Sequence, residues 1–92
     1  MRSFVSFKIK DSILFKLDPD KMGVFFSVED QSDKYLRLNG VASEFLQKMV
    51  NGTKFKEARM QILEEYDVSE QVLDSDLAIL EEKLKEAEFL LP

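Results

Sequence analysis

Apolar and polar residues alternate through the first third of the chain. Val5, Phe7 and Ile9 alternate with Ser6 and Lys8, the period of a half-buried strand. Residues 12–17 repeat the pattern, with Ile13, Phe15 and Leu17 on one face. Asp18-Pro19-Asp20 then supplies a turn, because proline pre-sets the backbone angle a turn needs. Gly23 opens a third run in which Val24, Phe26 and Val28 alternate with Phe25 and Ser27. Residues 29–33 are a polar connection of hairpin length, and residues 34–38 form the last strand. The pattern predicts an antiparallel meander of three strands. Residues 3–9 add either a fourth, edge strand or a loosely held arm.

At Gly40 the period changes to 3.6. Val41, Ala42, Phe45, Leu46, Met49 and Val50 share one broad face, so a helix is expected from here, with Asn39 as its N-cap. Asn51-Gly52 ends it. Thr53 is placed to cap a second helix carrying Phe55, Ala58, Ile62, Leu63 and Tyr66 on one face. After the break Asp67-Val68-Ser69, Ser69 or Asp67 caps a third, longer helix with the stripe Leu73, Leu77, Leu80, Leu84, Ala87 and Leu91. Strands first and helices afterwards define an α+β fold, and the short second helix followed by a longer third is a helix-turn-helix signature. The 92 residues suit one domain, 1–92, with residues 1–11 as the extra strand or arm.

Composition removes most chemistry. With no cysteine and no histidine, disulfides, thiol nucleophiles, histidine acid–base catalysis and most zinc sites are excluded. The paired acids Glu64-Glu65 and Glu81-Glu82 point about 100° apart on a helix, and Asp74 and Asp76 diverge for the same reason, so a solvated face explains them. No catalytic activity, cofactor or metal is expected. The segment MRSFVSFKIKD has no apolar run long enough for a signal peptide, and no apolar segment approaches the roughly 20 residues of a membrane span. A cytoplasmic protein without a membrane partner is expected.

Charge is divided unevenly. Residues 1–52 carry a net charge of +1 and residues 53–92 a net charge of −6. The third helix would be the DNA-reading helix of a helix-turn-helix, yet it holds Glu70, Asp74, Asp76, Glu81, Glu82, Glu86 and Glu88 against Lys83 and Lys85. A helix so acidic repels phosphates, so nucleic acid is not an expected partner, and a winged-helix DNA-binding regulator is the weaker alternative. The last strand is more informative. Leu36 and Leu38 claim its inward face, leaving Tyr35 and Arg37 outward. At a sheet edge, residues 34–38 would offer unpaired amides and carbonyls, and this run has neither proline nor an inward charge to protect them. Such an edge accepts a partner strand or pairs with a second copy, so a dimerisation module is a further alternative and either a monomer or a homodimer is compatible.

The ordered set Leu38-Asn39, Gly52-Thr53, Tyr66-Asp67-Val68 and Asp76, within YLRLNGVASEFL, NGT, EEYDVS and DSDLAILEEKLKEAEFL, resembles the PqqD-like family, whose namesake is the pyrroloquinoline quinone biosynthesis protein D. The similarity covers about residues 12–92. The first helix differs slightly in length from the family pattern, and the tryptophan common there is absent, with Leu46 nearest its place. The resemblance implies a small winged-helix-like domain that is a precursor-peptide recognition element. It implies a non-catalytic chaperone or adaptor that binds the leader of a ribosomally made peptide by strand addition and presents it to a modifying enzyme, of the radical S-adenosylmethionine type. By position, the implied groove has Lys34, Tyr35, Leu36, Arg37 and Leu38 on one side. On the other are Asp76, Ile79, Leu80, Lys83 and Leu84, which share one helix face. Leu80 and Leu84 also belong to the core stripe, whereas Ile79 lies off it.

Overall fold

The computed structural model describes residues 6–28 and 34–91. Three strands, β1 (Ile13–Leu17), β2 (Gly23–Ser27) and β3 (Tyr35–Leu38), form an antiparallel sheet in the order β1-β2-β3. Three helices follow, α1 (Gly40–Val50), α2 (Phe55–Glu65) and α3 (Glu70–Glu86). This is the expected α+β order. The predicted connection at residues 29–33 and the terminal Pro92 lie outside the described residues.

The helices cover one face of the sheet. Ile13, Phe25 and Leu38 from the strands are buried with Phe45 and Leu46 of α1, Ala58 and Ile62 of α2, and Leu73, Leu77, Leu80 and Leu84 of α3. The α1 helix crosses close over the start of β2. A Cβ at Gly23 would collide with Ser43 Oγ and the Phe25 ring, so this glycine makes room for the helix. Leu17 shares the parity of Ile13 and Phe15 but is 59% exposed, so the alternation does not bury this last residue of β1.

The fourth strand is not formed among the described residues. Instead residues 6–10 run beside the tail that follows α3. Ile9 bridges Leu90, the Lys10 amide donates to the Phe89 carbonyl at 3.0 Å, and the Leu91 amide donates to the Lys8 carbonyl at 2.9 Å. Phe7 anchors this arm in the core, edge-on to Phe55 and Phe45 at centroid distances of 4.9 and 6.2 Å. The arm is therefore a packed part of the fold. Residues 3–5 lie outside the described residues.

Two predicted caps are corrected. Asn39 occupies the N-cap position of α1 in an extended conformation, but its side chain makes no capping bond. The strand turns into the helix at Gly40, whose φ of +61° lies in the left-handed region that a Cβ disfavours. Nothing lies within 4 Å of a Cβ built there, so backbone conformation, not space, calls for glycine. At α2 the N-cap is Lys54 rather than Thr53, again without a side-chain bond. Ser69 does cap α3, its Oγ accepting from the Val72 amide at 3.2 Å. As expected, α1 closes at Asn51-Gly52: the Gly52 amide donates to the Met49 carbonyl and the Thr53 amide to the Lys48 carbonyl. The α3 helix stops at Glu86, so Leu91 leaves the predicted stripe and is 46% exposed.

Asp74 also departs from the solvated-face expectation. Arg59 of α2 grips it bidentately, Nε to Oδ1 at 2.8 Å and Nη2 to Oδ2 at 3.0 Å, and reaches Glu70 Oε1 at 3.0 Å. These carboxylates hold the guanidinium more firmly in its charged form, and the fork pins α2 to α3. That pin fixes the orientation of the helix that walls the site below.

Candidate functional site

The β3 strand ends the sheet, and the register shows which of its backbone groups are free to bond outward. The Val28 amide donates to the Ser12 carbonyl at 3.1 Å, and the Asp18 amide to the Met22 carbonyl at 3.0 Å. Antiparallel pairs alternate between bonded and non-bonded, so Leu14 with Phe26 and Lys16 with Val24 are also bonded pairs. Gly23 and Phe25 must then direct their backbone groups toward β3, where their partners are Leu38 and Leu36. The amides and carbonyls of Tyr35 and Arg37 consequently face the open side.

That open side looks across a groove to α3. A cleft of about 500 Å³ is lined by Lys34, Tyr35, Leu36, Lys83, Glu86 and Ala87. A smaller cavity of about 120 Å³ continues it, lined by Leu38, Ala42, Asp76, Ile79, Leu80 and Lys83. Lys83 borders both, so the two form one furrow between strand and helix. The structure thus brings together Lys34, Tyr35, Leu36, Leu38, Asp76, Ile79, Leu80 and Lys83. Ile79 is 55% exposed and presents an apolar wall. Leu80 is 1% exposed, so it serves the core and borders the furrow at once. Leu84 is fully buried in the core and contributes no groove surface. Lys34 spans one end of the furrow: its Nζ lies 2.9 Å from Glu88 Oε2, and the ammonium holds the Glu88 carboxyl below its ordinary range.

The Arg37 side chain leaves the groove entirely. It crosses the outer face of the sheet to the β1–β2 turn, where Nε meets Asp18 Oδ2 at 2.6 Å and Nη2 meets Asp20 Oδ2 at 3.0 Å. Asp18 Oδ1 also accepts from the Asp20 and Met22 amides, at 2.9 and 3.0 Å. The turn is therefore shaped to hold the guanidinium, and the guanidinium in turn steadies the C-terminal end of β3. Arg37 first, and then the Met22 amide, lowers the Asp18 pKa from its usual 3.8. A carboxylate lowered on folding stabilises the fold above its unfolded pKa and loses that contribution as pH falls through the lowered value. Thermal unfolding followed from pH 6 to pH 2 should therefore show the protein losing this contribution below about pH 4. Arg37→Gln should reduce that part of the pH dependence, leaving what the Met22 and Asp20 amides contribute.

Ala42, Glu86 and Ala87 line the furrow although the sequence did not assign them to the groove. Glu86 and Ala87 stand three and four residues after Lys83, so they extend the Asp76-Ile79-Lys83 face by one more turn, a continuation that the same periodicity carries. Ala42 gives no such signal. It stands in the first turn of α1 and borders the smaller cavity together with Leu38. Among the described residues no group of three or more acidic side chains could hold a metal ion, and no helix is long and apolar enough to cross a membrane.

An edge strand with outward backbone groups, facing a partly apolar helix across a furrow in a small α+β domain, is suited to accept a peptide as an added strand. The chain matches the family described as Coenzyme PQQ synthesis protein D (PqqD) over residues 15–90, and it belongs to that family of non-catalytic recognition elements. Among solved structures, TbiB1 in complex with the TbiA(beta) leader peptide is similar, with a TM-score of 0.70 and 25% sequence identity, covering 90% of this chain and 93% of that one. No curated protein matches the chain.

Proposed function

We propose that this protein binds the leader segment of a ribosomally made precursor peptide as an added strand on β3 and presents the peptide to a modifying enzyme. The observation that carries this reading is the outward-facing backbone of Tyr35 and Arg37 alongside the furrow against α3. Ladder bonds to those two residues supply affinity that is indifferent to sequence, and the furrow supplies selectivity for alternate side chains. Similarity to a protein solved with a leader peptide supports the choice of a leader as the added strand. The partner enzyme is of the radical S-adenosylmethionine type, and both act in the cytoplasm. The groove residues are Lys34, Tyr35, Leu36, Leu38, Asp76, Ile79, Leu80 and Lys83, with Arg37 contributing its backbone.

A titration tests the proposal. A synthetic peptide covering the leader of a precursor encoded beside this gene should shift the amide resonances of residues 34–38 and of the Asp76, Ile79 and Lys83 face of α3. Shifts confined to α2 or to the arm would place the binding surface elsewhere and refute the strand-addition reading.

A further inference from the structure

On the face of the sheet away from the helices, the register aligns Leu14 with Phe26 and Phe26 with Tyr35. This makes an apolar row across all three strands, and its outer members are open: Leu14 is 46% exposed and Tyr35 60%. The next row is Lys16, Val24 and Arg37. Side chains alternate between faces along any strand, and laterally aligned residues share a face whichever way the added strand runs. A strand joining β3 therefore sends only every second side chain into the furrow. The residue aligned with Tyr35 falls on the outer face and lengthens the apolar row from three strands to four. The residue aligned with Arg37 falls beside a guanidinium already held by Asp18 and Asp20.

We infer that peptide selectivity is read on both faces: the peptide recognised here carries an aromatic or β-branched residue aligned with Tyr35, and Arg37 selects no acidic residue at the neighbouring outer position. This rests on the strand-addition reading above and deepens it. Aromatic and β-branched cross-strand pairs stabilise a sheet, and of the two open ends of the row, Leu14 and Tyr35, it is Tyr35 that lies on the strand bordering the furrow. Arg37, which by residue type looks like an acid reader, is excluded from that role by its two carboxylates. The aligned pair is expected to change affinity about two- to five-fold.

Selection from a phage-displayed library of random decapeptides provides the test, carried out in parallel on the wild-type protein, on Tyr35→Lys and on Arg37→Gln. Selected peptides are assigned to the β3 edge when they shift the Tyr35 and Arg37 amides. The wild type should enrich an aromatic or β-branched residue at one position, with a separate preference at the adjoining furrow-facing position. Tyr35→Lys should exchange the first preference for Asp or Glu while retaining the second. Arg37→Gln should leave the absence of acid selection unchanged. Edge-binding peptides with the same consensus on wild type and Tyr35→Lys would overturn this inference and leave strand addition intact. Failure to recover any edge-binding peptide would overturn both. Tyr35 is mostly exposed, so equal melting temperatures for wild type and Tyr35→Lys show that the exchange reports recognition and not folding.

Discussion

Replacing Tyr35 with proline should weaken leader-peptide binding about ten-fold or more while leaving the domain folded. Proline removes the backbone N–H, and at Tyr35 that N–H faces the open edge, so the β2–β3 ladder keeps all its bonds. The incoming strand then meets a position with no donor, and a carbonyl left unpaired in an interface costs about 1–3 kcal/mol. Tyr35→Ser separates loss of the side chain from loss of the donor and should bind more tightly than Tyr35→Pro. One residue further, the result should invert. The Leu36 amide points inward to Phe25 on β2, so Leu36→Pro should break the sheet itself and lower the melting temperature sharply. Calorimetric titration together with thermal unfolding of all three variants checks the contrast. Similar behaviour of the proline variants at 35 and 36 would mean that the inferred alternation of backbone bonds is wrong.

The second large effect concerns the arm. Phe7 lies before the segment that matches the family, residues 15–90, yet the residue is 7% exposed and its ring packs against Phe45 and Phe55. Phe7→Ala should cost about 3 kcal/mol, the lower end for truncating a buried phenylalanine. In a domain of this size that is about 12–20 °C in melting temperature. Residues 89–91 should lose amide protection in the same variant, because their bonds to Lys8 and Lys10 depend on the arm staying docked. A melting temperature within about 3 °C of wild type would show that the arm packs without stabilising the fold, against the usual cost of emptying a core position.

These effects mark where the sequence was legible. Period-two alternation located β1, β2 and β3, because each strand is buried on one side only and a one-residue slip would expose Ile13, Phe25 and Leu38 together. The stripe Leu73, Leu77, Leu80 and Leu84 located α3 for the corresponding reason on a helix. The resemblance carried by residues 38–76 placed the groove between β3 and α3, where the structure has its furrow. Features decided by a single backbone angle were not readable. Asn39 has the right chemistry for a cap, but Gly40 in the left-handed region directs the chain so that the cap is unused. Long-range charge pairing was also hidden. Arg37 meets Asp18 across β2, and Arg59 meets Asp74 between two helices. Neither pair is spaced so that a local period could reveal it. The arm was ambiguous because Val5, Phe7 and Ile9 alternate as they would in a strand, while the partner that decides the matter is the tail around Leu90 and not the sheet.

In the proposed complex a peptide joins the open edge of β3 through the backbone of Tyr35 and Arg37. Amide hydrogen exchange measured with and without a bound leader peptide tests it most directly. Free protein should exchange the Tyr35 and Arg37 amides quickly and the Leu36 and Leu38 amides slowly, and saturating peptide should slow Tyr35 and Arg37 specifically. Bound peptide that leaves those two amides exchanging as fast as before would contradict the account.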